Sequence, residues 1–181
     1  MADSHHARIQ VRLRELGQLF NSLDPSPFIE RDLDDDAEAF IMGSARELGL
    51  QLPYEIIVHL KVAPEPSRAA VLESAVRHFF RERTAVKQRD LRLLLRRGRT
   101  SLVIGIFFLA ACLGLGEFIG LTWDHTLASI LSESLVIGGW VAMWRPLEIF
   151  LYDWWPLREE RRVLDALAHA KVRLAPIPKE G

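Results

Sequence analysis

From Ser101 to Leu121 the chain reads SLVIGIFFLAACLGLGEFIGL, apolar on every face of a helix, which suits hydrocarbon better than a water-facing surface. A second apolar run extends from Leu127 to Trp144, interrupted by Ser129, Ser132, Glu133 and Ser134. A helix rises ~1.5 Å per residue and needs about 20 mostly apolar residues to cross roughly 30 Å of hydrocarbon. The 45 residues from Thr100 to Trp144 contain no Lys or Arg. They hold two such helices, spanning 100–121 and 127–144, joined by the turn and helix-start residues Thr122, Trp123, Asp124 and His125. The pattern predicts a two-helix transmembrane hairpin over 100–145. A single span followed by an interfacial helix is the competing reading, and it would strand the apolar stretch from Leu135 to Trp144.

Ahead of this region the periods are those of a small soluble unit. Ile9, Leu13, Leu16 and Phe20 recur at helical spacing and predict an amphipathic helix of about three turns. Asp24-Pro25-Ser26-Pro27 stops it. Phe28 to Arg31 reads as a short strand. Asp35 with Glu38 resembles a capping box, Ala37, Phe40, Ile41, Ala45 and Leu48 supply an apolar face, and Gly49 offers a C-terminal stop. Tyr54 to Val62 alternates, with Ile56, Val58, Leu60 and Val62 on one side and Glu55, Ile57, His59 and Lys61 on the other, as a half-buried strand should. The expected fold is an α-helical membrane hairpin bearing a small cytoplasmic α/β head over residues 1–65, in the order helix-strand-helix-strand-helix. Its two strands would pair in parallel through a right-handed crossover. So small a sheet has bare edges that invite a further strand, from a second copy or from another protein.

Residues 66–99 form the expected helical stalk. Pro66 suits a first helical turn, and Leu72, Val76, Phe79 and Phe80 make an apolar face that passes into an arginine-rich run. Beyond the hairpin, Trp144-Arg145-Pro146-Leu147-Glu148-Ile149-Phe150-Leu151-Tyr152-Asp153-Trp154-Trp155-Pro156 is bracketed by prolines. It predicts a short aromatic segment over 146–157, angled to the spans. Trp144, Arg145, Tyr152, Trp154 and Trp155 would anchor it among headgroups or dock a partner, with the anchor favoured. Residues 158–181 are read as a last helix, from Arg158 to Val172, and an extended tail at Ala175-Pro176-Ile177-Pro178. Val163, Leu164, Leu167 and Ala168 form that helix's apolar face.

Charge orients these elements. The net charge of the 181-residue chain is -1, but residues 77–99 hold nine basic groups against Glu82 and Asp90. Arg89, Arg92, Arg96, Arg97 and Arg99 crowd the start of the first span, and Arg145 and Arg158 follow the second. Asp124 and His125 are the charged or titratable groups of the turn, so both termini are expected in the cytoplasm, with the protein multi-pass in the cell membrane, the inner membrane in a bacterium. The arginine run could also attract anionic lipid headgroups, at about 1 kcal/mol per basic group near the surface; the positive-inside rule alone already asks for it. Nucleic acid is not expected as a partner, because the run abuts the membrane and lacks interleaved aromatics beyond Phe80.

Candidate chemistry is sparse. Cys112 is the only cysteine, and His5, His6, His59, His78 and His169 are scattered, so no disulfide, metal site or cofactor is expected. Met1 to Gln10 is polar and lacks the apolar core of a secretory signal. No nucleophile motif or phosphate loop is present, and no enzymatic activity is expected. The sharpest candidates are Glu117 and Glu133, at comparable depth toward the outer side, with Asp124 and His125 at the mouth. Intramembrane carboxylates cost a few kcal/mol when charged. They would form an ion or proton site, or rest partly exposed at the interface with hydrogen bonds to nearby serines; the second reading is favoured. Gly116 with Gly120, and Ser134 with Gly138 and Ala142, repeat every four residues and allow close helix contact. The expected function is a non-enzymatic integral membrane subunit or scaffold that forms a homo-oligomer or docks with other membrane subunits. The alternative is an oligomeric ion or proton conduit using Glu117 and Glu133.

Overall fold

The computed structural model describes residues 7–50, 53–61, 66–122 and 126–176, with the backbone alone over 66–70. The protein is mostly helical, with two long apolar helices that could span a membrane and a small three-stranded sheet. Strand β1 is Ala7–Leu13, helix α1 Asp35–Leu48, strand β2 Tyr54–Leu60, helix α2 Pro66–Thr122, helix α3 Thr126–Glu148, helix α4 Trp154–Ala168 and strand β3 Lys171–Pro176. Two bodies emerge. One comprises the described residues up to Gln88 and from Glu159 onward; the other is Arg89–Arg158.

The first expected element is wrong in kind. Ala7, Ile9 and Val11 are buried while Arg8, Gln10 and Arg12 are exposed, the two-residue period of a strand. β1 pairs in parallel with β2, Ile9 opposite Ile56 and Val11 opposite Val58. Leu16 belongs to a short 3-10 turn, Leu16–Leu19, and Phe20 forms an isolated antiparallel bridge to Leu33. Phe28 to Glu30 is a turn and no strand. Asp24 clasps this loop, its carboxylate accepting from the backbone N–H groups of Ser26 at 2.9 Å and Asp32 at 2.8 Å. A hydrogen bond from the Ser26 side chain, followed by those from the backbone of Asp32 and Ser26, brings its pKa from 3.8 down to about 2.

Helix α1 lies where the periodicity put it. Its N-cap is Asp34, one residue earlier than expected, whose side chain accepts from Asp36 N at 3.1 Å. Glu38 does not close a capping box with Asp35; it pairs with Arg83 of α2 at 2.8 Å. Ala37, Ile41, Met42 and Ala45 are buried, whereas Phe40 and Leu48 stand exposed. Gly49 ends the helix at φ 74°, a conformation that favours glycine.

β2 is central rather than half-buried. Tyr54, Glu55, Ile56, Val58, His59 and Leu60 are all buried, because β3 covers its other edge, pairing in parallel with Ile56 opposite Val172 and Val58 opposite Leu174. Val62 lies outside the described residues. The last helix accordingly ends at Ala168, four residues short of the expected Val172, and Lys171–Pro176 returns as a strand. Ala175 and Pro176 are extended as expected, within that strand; Ile177 and Pro178 lie outside the described residues.

One face of the sheet is apolar and packs with helices. Ile9, Ile56, Val58 and Val172 form a single core with Ile41 and Ala45 of α1, Leu72, Val76, Phe79 and Phe80 of α2, and Val163, Leu164 and Leu167 of α4. The other face is polar, and at its centre Glu55 forms ion pairs with Arg8 at 3.5 Å and Arg173 at 3.0 Å, tying all three strands. Glu160 of α4 meets Lys87 of α2 at 3.0 Å at the helical side of this body.

Candidate functional site in the apolar helix pair

From Arg89 onward α2 packs antiparallel against α3. The seam on α2 consists of Gly98, Gly105, Leu109, Cys112 and Gly116, and on α3 of Ala128, Ser132, Gly139, Ala142 and Pro146, all buried or half-buried. Alternating steps of three and four residues place such positions along one stripe, and a stripe sustained this way suits two helices coiled about each other. Contact is close because small residues face each other. A Cβ added to Gly139 would lie 2.8 Å from Leu109 Cδ1 and 3.3 Å from Leu109 Cα; one on Gly98 would lie 2.7 Å from Ile149 Cγ2. Gly105 faces Met143 and the Ala142 carbonyl, and Gly116 faces Ser132, whose hydroxyl donates to the Gly116 carbonyl at 3.0 Å.

The five residues expected at helix contacts divide. Gly116 and Ala142 lie on the seam, but a Cβ on Gly120 or Gly138 would meet nothing within 4 Å. Ser134 is exposed and its hydroxyl returns to Ile130 O of its own helix at 2.7 Å. Within the chain the seam is lined as well by Gly98, Gly105, Ser132 and Gly139. The signal that finds them is a seven-residue spacing, Gly98 to Gly105 to Cys112 and Ser132 to Gly139 to Pro146.

Outside this seam the pair is apolar and uncovered. Phe107, Phe118, Ile137, Trp140 and Val141 are exposed. In the most apolar stretch of each helix only 17% and 11% of residues are buried, where the core helix of a water-soluble protein would be mostly covered.

Glu117 and Glu133 each stand one residue from the Gly116–Ser132 contact, and both are exposed rather than enclosed between the helices. Trp123, Asp124 and His125 lie outside the described residues. Among the described residues no cluster of three His, Cys, Asp or Glu side chains is placed to hold a metal.

The aromatic segment is not set apart from the helices by its prolines. Pro146 lies inside α3; lacking an N–H it leaves the Ala142 carbonyl unpaired along the helix, at the point where Gly105 permits close approach. A π-helical turn, Ile149–Asp153, then joins α3 to α4, which contains Pro156. The Trp154 indole donates to Phe150 O within this turn at 2.8 Å. Arg145 bridges Glu148 at 3.0 Å and Asp153 at 3.3 Å, the Trp144 indole also donates to Glu148, and the Arg158 guanidinium sits 5.4 Å from the Trp154 ring centroid. Trp144, Tyr152 and Trp155 remain exposed. The cluster thus combines outward rings with an internally neutralised set of charges, a composition suited to the edge of a bilayer.

Comparison with protein-family models, with curated proteins and with solved structures finds no match to this chain.

Proposed function

We propose that the protein is a non-enzymatic integral membrane subunit or scaffold that crosses the bilayer twice as a helical hairpin, with both termini in the cytoplasm. The observation that carries this reading is the shared sheet: β1 and β2 precede the apolar helices and β3 follows them, yet β2 is hydrogen-bonded to β1 on one edge and to β3 on the other. A shared sheet supports placing the polypeptide on both sides of the pair in one compartment, and for helices inserted in a bilayer that favours two crossings. The single span with an interfacial helix fits the shared sheet less well. The length of α3, 23 residues, matches a bilayer at ~1.5 Å per residue, and the uncovered apolar flanks suit lipid or further helices. The arginines at the start of the first span and Arg145 and Arg158 after the second support a cytoplasmic head.

Extraction of membranes with alkaline carbonate tests the insertion; release into the soluble fraction would overturn it. Purification in mild detergent with determination of mass and companions tests the scaffold role, and a solitary monomer would count against it. The exposure of Glu117 and Glu133 at one level of the pair supports a second reading, an oligomer that gathers these carboxylates around an ion or proton path. Flux in liposomes that disappears in Glu117→Gln and Glu133→Gln supports that conduit; absent or unchanged flux removes it.

A further inference from the structure

We propose that the groove on α2 headed by Arg92, Arg96 and Arg99 is a binding site for one anionic phospholipid, an inference that rests on the membrane reading above. The groove has a volume of about 700 Å³ and runs past Thr100 to Val103 and Ile104. Its chemistry changes along its length: three exposed guanidinium groups at one end, apolar side chains at the other. That is the polarity of a lipid, phosphate first and acyl chain after, in the direction in which α2 enters its apolar stretch.

Two further features favour a negatively charged occupant. The three arginines form no ion pair among the described residues, whereas Arg145 is neutralised by Glu148 and Asp153. No acid occurs on α2 between Asp90 and Glu117, so nothing on the helix beside the groove offsets its charge. Guanidinium groups bind phosphate oxygens in a bidentate fashion, and successive steps of four and three residues bring these three onto one face of the helix. Ile104 also lines a second groove of about 340 Å³, where Gly105, Phe108, Ala142 and Pro146 offer apolar surface to an acyl chain beside Ser101 and Arg145.

The full chain, purified in detergent micelles doped with phosphatidylglycerol and phosphatidylcholine, is examined by native mass spectrometry for the lipid it retains. Lipid is supplied in the micelle, so altered insertion cannot account for a difference between variants. The native sequence should retain phosphatidylglycerol preferentially. The triple variant Arg92→Gln, Arg96→Gln, Arg99→Gln should lose that preference by at least about tenfold, given about fivefold for each basic group at an anionic surface. A control that removes the same charge elsewhere, Arg12→Gln, Arg97→Gln, Arg162→Gln, should keep it. Equal loss in both triples, or no preference in the native chain, overturns the site. A chain that resists carbonate yet shows no preference refutes the groove alone, whereas one released by carbonate refutes the membrane reading and the groove together.

Discussion

The Tyr54 hydroxyl lies 2.9 Å from the Ala45 carbonyl and 2.8 Å from that of Gly49, and so caps the C-terminal end of α1 from the first residue of β2. The last carbonyls of a helix have no partner within it, and here a side chain buried in the sheet supplies one. Tyr54→Phe should cost about 1–2 kcal/mol and leave the helix end exposed. Chemical denaturation, with amide exchange over Ala45 to Gly49, checks this; an unchanged midpoint and unchanged protection would contradict it.

Burial also raises the Tyr54 pKa above its ordinary 10.0. Neutral phenol is thus favoured in the folded state, so its contribution is intact below pH 10 and is lost as pH rises through the higher folded value. The native head should weaken more steeply than the Tyr54→Phe variant in alkaline titration, and parallel curves would refute the assignment.

Asp24 has the opposite sign. Its carboxylate is held near 2 by the bonds to Ser26 and Asp32, so its contribution is present above the unfolded value of 3.8 and disappears as pH falls through about 2. Amide exchange of Asp32 should quicken on acidification across this window. Asp24→Asn, whose side chain does not titrate, should remove that pH dependence.

Glu55 joins both outer strands through Arg8 and Arg173. Glu55→Gln keeps the shape but loses both ion pairs of a buried carboxylate, and should destabilise the sheet by about 1–3 kcal/mol. The arginines are well exposed and more easily hydrated, so Arg8→Gln should cost less than Glu55→Gln. Urea denaturation of the three proteins orders them; a larger loss for Arg8→Gln would contradict the clamp.

Adjacent glycines of α3 should behave differently. Gly139→Leu must displace Leu109 and Cys112 and should cost about 1–3 kcal/mol or part the helices, whereas Gly138→Leu projects into open space within one chain. Thermal denaturation of the detergent-solubilised chain should therefore fall for Gly139→Leu and hold for Gly138→Leu. If Gly138→Leu instead lowers the mass of the assembly, that face meets another subunit.

The apolar runs and helix α1 were legible because each depends on local period and on residues such as Asp34 and Gly49 that start and stop a helix. β1 has the pattern of a helix as well as of a strand because Ile9 and Leu13 satisfy both periods, four residues apart and also on alternate positions; Ala7 and Val11 decide for a strand, and the pairing that rewards it comes from distant β2. The same ambiguity concealed β3, since Leu164, Ala168 and Val172 recur every four residues as though one helix ran through them. At the helix pair, the four-residue repeat of Ser134, Gly138 and Ala142 overlaps a seven-residue repeat through Gly139, and it is the latter that lines the seam within the chain. The exposed placement of Glu117 and Glu133 depends on which face α2 and α3 turn to each other, which their own spacing does not specify.

The order of the strands bears on how the protein is made. Leu60 leaves the ribosome well before Lys171, so β2 must wait for its second neighbour until both apolar helices have been synthesised. During that interval β2 has a bare edge carrying Glu55, a charge that discourages unwanted strand pairing. Completion of the head is thereby tied to completion of the helices, and a chain cut short before Lys171 would keep β2 open to aggregation.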